Sequence, residues 1–292
     1  MEASGFSPWP ALASSFLDRY GAPSFSPGAV DLAEQWVHSS AARMSGVPGA
    51  WRASVLNGSI YVRMLHVKRH WRERSSVLRL LLLAQNAYRL PDVDFVYIHC
   101  DQDVAPMLGF PPCKKVDASQ PDCGARVPFL TNSFEERGNK SSFPAPEFSW
   151  VGWGKQPSWC ELSDQIQQTA VGLPWEKRID QLYFSGSLSN GWWRQRLRSV
   201  YAAHRAANGT LLHVRDVHST FSDISHGAAV RTNASARREV HRDRSVPMTD
   251  ACRYRYLLSI PGFGYSNRLR SLLACGSVVI HVRSPWNEFF LP

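Results

Sequence analysis

The stretch at residues 252–290, CRYRYLLSIPGFGYSNRLRSLLACGSVVIHVRSPWNEFF, constrains the fold of this chain more than any other. Residues 256–260 are an apolar run that reads as a short buried strand. Pro261-Gly262-Phe263-Gly264 follows as a glycine turn. Residues 266–274 place Leu269, Leu272 and Leu273 at helical spacing, Gly276 stops the helix, and residues 277–282 are a second, β-branched strand. Strand, turn, helix and strand make a βαβ unit. The turn and helix N-terminus of such a unit suit a bound phosphate, because the first helical N–H groups have no partner within the helix. Ser266 falls at the expected N-cap, with Arg268 just beyond it. A hydroxyl, free amides and a guanidinium would converge on a diphosphate. A glycine turn before a helix is also an ordinary packing device of any α/β protein, so the turn alone decides nothing.

A similar pattern precedes it. Residues 181–184 read as a strand, Gly186-Ser187 as a small-residue turn, and residues 191–207 as a long helix carrying Arg194, Arg196 and Arg198. These arginines suit either an anion or a solvated helix face. Residues 211–215 are a further short strand. Earlier, residues 54–64 alternate around Asn57-Gly58 as a hairpin. Residues 72–90 form a helix with Val77, Leu80, Leu81, Ala84 and Tyr88 on its apolar face, stopped by Pro91. The strand at residues 92–100 ends on Cys100-Asp101-Gln102-Asp103. Ligands of open α/β sheets sit beyond the carboxyl ends of strands, where these carboxylates fall. Three readings of Asp101 and Asp103 stand side by side: a general base for an acceptor hydroxyl, an Asp-x-Asp holding a divalent ion on a diphosphate, or two solvated side chains.

Composition narrows the function. A chain of 292 residues, 44% hydrophobic, can bury one large core or two modest ones. Its formal charge of +9 favours anionic partners. The arginines are spread along the chain without a lysine-rich tail, so nucleic acid is not expected. Most of the eleven tryptophans are expected in the core; Trp150 and Trp153 read either as packing or as a sugar or acceptor surface. The six cysteines have no CxxC or HxxxH spacing, which excludes the usual structural zinc sites. Cys113 and Cys123 flank a polar loop that a disulfide would close. Sequons at Asn57, Asn139, Asn208 and Asn233 point to a secretory-pathway lumen, the endoplasmic reticulum or Golgi. Against that, residues 1–40 have no basic start with an apolar core, and no run is long enough to span a bilayer. The chain is thus expected either to start downstream of its true N-terminus or not to be secreted. Residues 1–48 read as a loosely ordered lead-in with one helix near residues 30–43. Residues 106–139 and 221–245 read as loops.

The C-terminal stretch resembles the signature of glycosyltransferase family 90, the capsule-associated (CAP-ten) family. It includes Rumi-like, KDEL-motif-containing protein O-glucosyltransferases and O-xylosyltransferases. Cys252, Tyr254, Tyr256-Leu257, Gly262, Ser266, Arg268, Leu269, Leu272, Cys275-Gly276-Ser277, Val279 and Glu288-Phe289-Phe290 carry the resemblance. Leu90-Pro91-Asp92-Val93-Asp94-Phe95, Phe148-Ser149-Trp150-Val151-Gly152-Trp153 and Tyr183-Phe184-Ser185-Gly186-Ser187 extend it over residues 50–290.

The resemblance implies two Rossmann-like lobes in a GT-B arrangement. The acceptor-side lobe would cover residues 49–175 and the nucleotide-sugar lobe residues 176–292, incomplete at its C-terminus where relatives continue. It implies inverting transfer of glucose or xylose from a UDP-sugar to a hydroxyl of a protein or polysaccharide. UDP-sugar would be the donor substrate, with no metal or other cofactor. Asp101 would be the catalytic base; Gly186, Ser187, Arg196, Gly262, Ser266 and Arg268 would hold the donor. Trp150, Trp153 and Asp103 would face the acceptor or sugar, and Cys252 and Cys275 would pair as in animal members. The chain departs from the family at Gln102-Asp103, where an aromatic and a proline are usual, and at Ser185, where an arginine is usual. These departures keep a second expectation open: an inactive relative that binds a glycan or nucleotide.

Overall fold

Asn57 and Gly58 both adopt positive φ, 50° and 78°, so the two-residue loop between β1 (Gly49–Leu56) and β2 (Ser59–Val67) is a type I′ turn. Leu56 stands opposite Ser59, and this register holds back to Trp51 opposite Met64, beyond which it shifts by one residue. The hairpin is the edge of the first of the two larger sheets in this computed structural model, which describes residues 28–39, 49–67, 71–99, 129–135, 142–152, 157–188, 191–216, 247–262, 264–288 and 290. The chain divides into two compact units, residues 1–154 with 285–292, and residues 155–284.

In the first unit, α1 (Ala29–Ser39) precedes the hairpin. After it come α2 (Trp71–Tyr88), β3 (Val93–His99), β4 (Phe129–Thr131), β5 (Phe134–Glu135), β6 (Ser142–Pro144) and a 3-10 turn at Phe148–Trp150. The sheet order is β2-β1-β3-β4-β6. β1 runs antiparallel to β2 and β3, and β3, β4 and β6 run parallel. The alternation of β1 and β3 gives the sheet two apolar faces. Ala50, Val96, Ile98 and Phe129 pack on Ala33 and Val37 of α1, while Trp51, Ala53, Phe95 and Tyr97 form a second cluster with Leu81 of α2. Helix α1 is therefore part of this unit's core rather than of a separate lead-in. On α2, Leu80, Leu81 and Ala84 are half-buried as their spacing predicts, but Tyr88 is exposed.

A charge knot ties α1 to the sheet. Arg52 of β1 donates from Nη2 to Asp94 Oδ2 at 2.5 Å and from Nε to both Asp94 oxygens at 3.1 Å. Its Nη1 reaches Asp31 at 2.6 Å and Glu34 at 2.9 Å, and Ser54 Oγ donates to Asp94 Oδ1 at 2.8 Å. Burial alone raises the Asp94 carboxyl, but the hydrogen bonds from Arg52 and Ser54 outweigh it and hold the group below its ordinary range.

The second unit opens with α3 (Trp159–Gly172), started by a capping box. Ser158 Oγ accepts from the Glu161 N–H at 3.3 Å, and the Glu161 carboxylate accepts from the Ser158 N–H at 2.7 Å. A 3-10 turn at Trp175–Lys177, β7 (Ile179–Gly186), α4 (Trp192–Ala206), β8 (Leu212–Asp216), a 3-10 turn at Met248–Arg253, β9 (Tyr254–Ser259), α5 (Leu269–Ala274) and β10 (Val278–His281) follow. The sheet, ordered β10-β9-β7-β8, is parallel throughout and covered on both faces. Tyr183 and Leu257 face Ile166 of α3 and Leu272 of α5; Phe184 and Leu258 face Leu197 of α4. Since α3 packs into this core, the unit begins at residue 155, earlier than the expected 176. The chain then returns to the first unit, where β11 (Trp286–Asn287) pairs antiparallel with β5.

A disulfide joins Cys252 to Cys275, with Cα atoms 4.8 Å apart. Beside it the buried Arg178 guanidinium donates to Ala170 O, Leu173 O, Cys275 O and Ser277 Oγ at 2.7–3.2 Å, closing the carbonyl ends of α3 and α5 with a positive charge. Gly276, at φ 63°, supplies the left-handed residue that ends α5. Cys113 and Cys123 lie outside the described residues.

Asp94→Asn is expected to cost about 1–2 kcal/mol at neutral pH. The folded-state pKa of Asp94 is depressed, so its contribution is present above the unfolded pKa and lost as pH falls through the folded one. Urea unfolding of both proteins at neutral and acid pH checks this: the gap between them should close as the medium is acidified.

Candidate functional site

The strand order of the second sheet reverses between β7 and β9. β7 leads through α4 to β8 on one side; β9 leads through α5 to β10 on the other. The two connections diverge at the carboxyl ends of β7 and β9, where sheets of this kind usually carry a ligand-binding crevice. Gly186-Ser187 leaves one strand there, and Ile260-Pro261-Gly262 leaves the other.

Arg194, in the first turn of α4, spans the crevice floor. Its Nε donates to Pro261 O at 3.2 Å, Nη1 to Ser187 O at 3.5 Å and Nη2 to Ile260 O at 3.5 Å. The residue is buried, and burial pulls its pKa down to about 10. Arg268 lies over the Phe184 ring, its guanidinium carbon 4.9 Å from the centroid. Burial first, and the Arg194 charge second, lower Arg268 to about 9. Among the described residues no carboxylate pairs with either guanidinium. Burial alone lowers Arg194, while Arg268 is lowered by burial and then by the Arg194 charge beside it.

The glycines follow from that crowding. A Cβ on Gly186 would collide with the Arg268 guanidinium, and one on Gly262 would stand 3.3 Å from Arg194 Nη2. The structure thus places Gly186 beside Arg268, and Ser187 and Gly262 beside Arg194, at the carboxyl ends of β7 and β9. Ser266 does not cap α5. The helix starts at Leu269 with Arg268 at the N-cap position, and the Ser266 carbonyl accepts from Leu269 N–H at 3.0 Å in the preceding turn. A six-residue helix has little dipole to offer, so the positive charge here comes from side chains.

Arg196 is not brought to the crevice. It is exposed, over the Trp192 ring on the outer side of α4. Leu197 is buried in the core and Tyr201 packs against it, and Arg194 is the arginine in phase with them at three- and four-residue spacing. That phase was the available signal for Arg194. Phe184, the platform under Arg268, had none.

Trp150 lies in the first unit, half-buried and edge-on to Phe290 with ring centroids 6.1 Å apart. It closes a 3-10 turn braced by buried Glu147, whose carboxylate accepts from the Ser149 N–H at 2.8 Å and from the Ser149 hydroxyl. Asp101, Asp103 and Trp153 lie outside the described residues.

Residues 36–292 match the family described as Glycosyl transferase family 90. The chain belongs to glycosyl transferase family 90. It is 26% identical over 213 residues to mouse Protein O-glucosyltransferase 1, which covers 70% of this chain and 47% of that protein. It is 26% identical over 216 residues to the O-glucosyltransferase rumi homolog of Aedes aegypti, covering 71% and 46%. A shorter segment of 49 residues is 43% identical to the rumi homolog of Anopheles gambiae, covering 17% and 12%. This family 90 chain therefore spans about half the length of the first two relatives.

If the glycine at position 186 exists to seat Arg268, then Gly186→Ala should displace the guanidinium. Its affinity for inorganic pyrophosphate is expected to fall about tenfold, roughly 1.4 kcal/mol, with an unchanged circular dichroism spectrum; isothermal titration measures it.

Proposed function

We propose that this chain is a UDP-sugar-dependent glycosyltransferase that moves glucose or xylose to a hydroxyl of a protein or polysaccharide, with inversion and without a metal ion. The carrying observation is the pair Arg194 and Arg268, two guanidiniums without a carboxylate partner among the described residues, at the point where the parallel sheet reverses its order. A diphosphate supplies the missing negative charge and accepts hydrogen bonds in the geometry guanidiniums favour. Family membership gives the reaction class.

In this reading the Asp101 carboxylate takes the proton of the acceptor hydroxyl. The acceptor oxygen bonds to the anomeric carbon on the face opposite UDP. The bond from that carbon to the diphosphate oxygen breaks, and its electron pair leaves with UDP. Arg268 offsets that developing charge, with Arg194 behind it and Gly186, Ser187 and Gly262 letting the phosphates approach. The two units, each with its own sheet, support a GT-B reading, with the second unit as the nucleotide-sugar lobe and the first on the acceptor side. The disulfide between Cys252 and Cys275 and the exposed turns holding Asn57 and Asn208 support a secretory-pathway lumen. No helix among the described residues is long and apolar enough to cross a membrane.

A second reading, a relative that binds nucleotide without turnover, draws on one observation. Ser185 stands at the end of β7 where the resembling motif has arginine.

A UDP-release assay with UDP-glucose and UDP-xylose, in EDTA and in manganese, separates these. Turnover in EDTA is expected. Asp101→Asn should abolish it, a loss of at least about a hundredfold, with UDP affinity near normal. Turnover in manganese alone overturns the metal-free reading, and UDP binding with no turnover favours the second.

A further inference from the structure

The outer side of α4 carries a feature that donor binding does not use. Trp192 is 58% exposed, Trp193 40% and Val200 52%. The two indole rings meet at 73° with centroids 4.5 Å apart, forming an open corner. Arg196 covers one side of it, its guanidinium carbon 5.5 Å from the Trp192 centroid, and has no hydrogen-bond or ion-pair partner among the described residues. At about 100° per residue, Trp192, Arg196, Val200 and Trp193 fall within one arc of roughly 100°. Exposed apolar groups gathered in this way mark a binding surface.

The geometry distinguishes the occupants. A bilayer would want cations flanking the aromatic pair, but Arg198 and Arg205 lie on the far flank of the helix, roughly opposite the centre of that arc. A stable protein interface buries about 800 Å² on each side, more than two indoles and a valine supply. A pyranose fits: one face of the ring is C–H groups, which the electron-rich indole face attracts. Its rim of hydroxyls accepts from a free guanidinium. Arg194, next in sequence to Trp193, lies roughly 150° around the helix from the centre of that arc and holds the Ser187, Ile260 and Pro261 carbonyls, so the corner is separate from the donor crevice.

We infer that Trp192, Trp193 and Arg196 form a saccharide-binding platform on the outer side of α4, separate from the donor crevice. The test titrates the full chain with xylotetraose and cellotetraose by calorimetry, and separately with UDP. At least one tetrasaccharide should bind wild type. Trp192→Ala and Trp193→Ala should each weaken it tenfold or more (~1.4 kcal/mol for tenfold), Arg196→Gln severalfold, and all three should keep wild-type UDP affinity. All three side chains are exposed, so the variants should fold. No tetrasaccharide binding, or equal binding by wild type and variants, overturns the platform. So does loss, in the tryptophan variants, of binding to vesicles of phosphatidylcholine and phosphatidylserine in place of saccharide binding. Saccharide binding without UDP binding overturns the donor reading and leaves the platform standing.

Discussion

One buried guanidinium holds the candidate site together. Arg194 reaches from the start of α4 to the backbone carbonyls that leave β7 and β9, so a single side chain sets the separation of two loops from opposite halves of a parallel sheet. Only the bond to Pro261 O, at 3.2 Å, lies within the usual range; those to Ser187 O and Ile260 O are long, at 3.5 Å. Together they engage carbonyls that have left the strand ladder. The same side chain is a charge without a counter-ion, and its neighbour Arg268 lies on Phe184 for want of a carboxylate. In the proposed reading a diphosphate would supply the charge that these two guanidiniums lack among the described residues.

The first unit solves its electrostatics the other way. Arg52 is surrounded by Asp31, Glu34 and Asp94, and that excess of carboxylates leaves no appetite for an external anion. Two arginine clusters in one chain thus have opposite meanings, and only their partners tell them apart. Positive charge summed over the sequence could not have separated them.

What was legible in the sequence was local. Asn57-Gly58 demanded a type I′ turn, and the run from Tyr256 through Gly276 demanded a strand, a helix and a left-handed stop, since each is fixed by neighbours a few residues away. Gly186, Gly262 and Arg268 stood out in the sequence because glycine turns after strands are a local pattern. What was not legible depends on distant partners. Arg196 and Arg194 are two residues apart, and which one enters depends on the phase that Leu197 and Tyr201 impose when α4 meets the sheet. Ser266 lost its capping role because the chain takes an extra turn before Leu269. The Arg52 knot joins residues 31, 34, 52 and 94, which no short window contains.

The disulfide between Cys252 and Cys275 has a consequence beyond the two elements that it joins. Its sequence separation of 23 residues encloses Ile260, Pro261, Gly262, Ser266 and Arg268, so half of the crevice belongs to a covalent ring. Closing a ring of that size removes on the order of 3 kcal/mol of chain entropy from the unfolded state. The ring also limits how far this segment can open when α5 frays, because its ends are bonded together. The segment leaving β9 is thus a tethered loop rather than a free one.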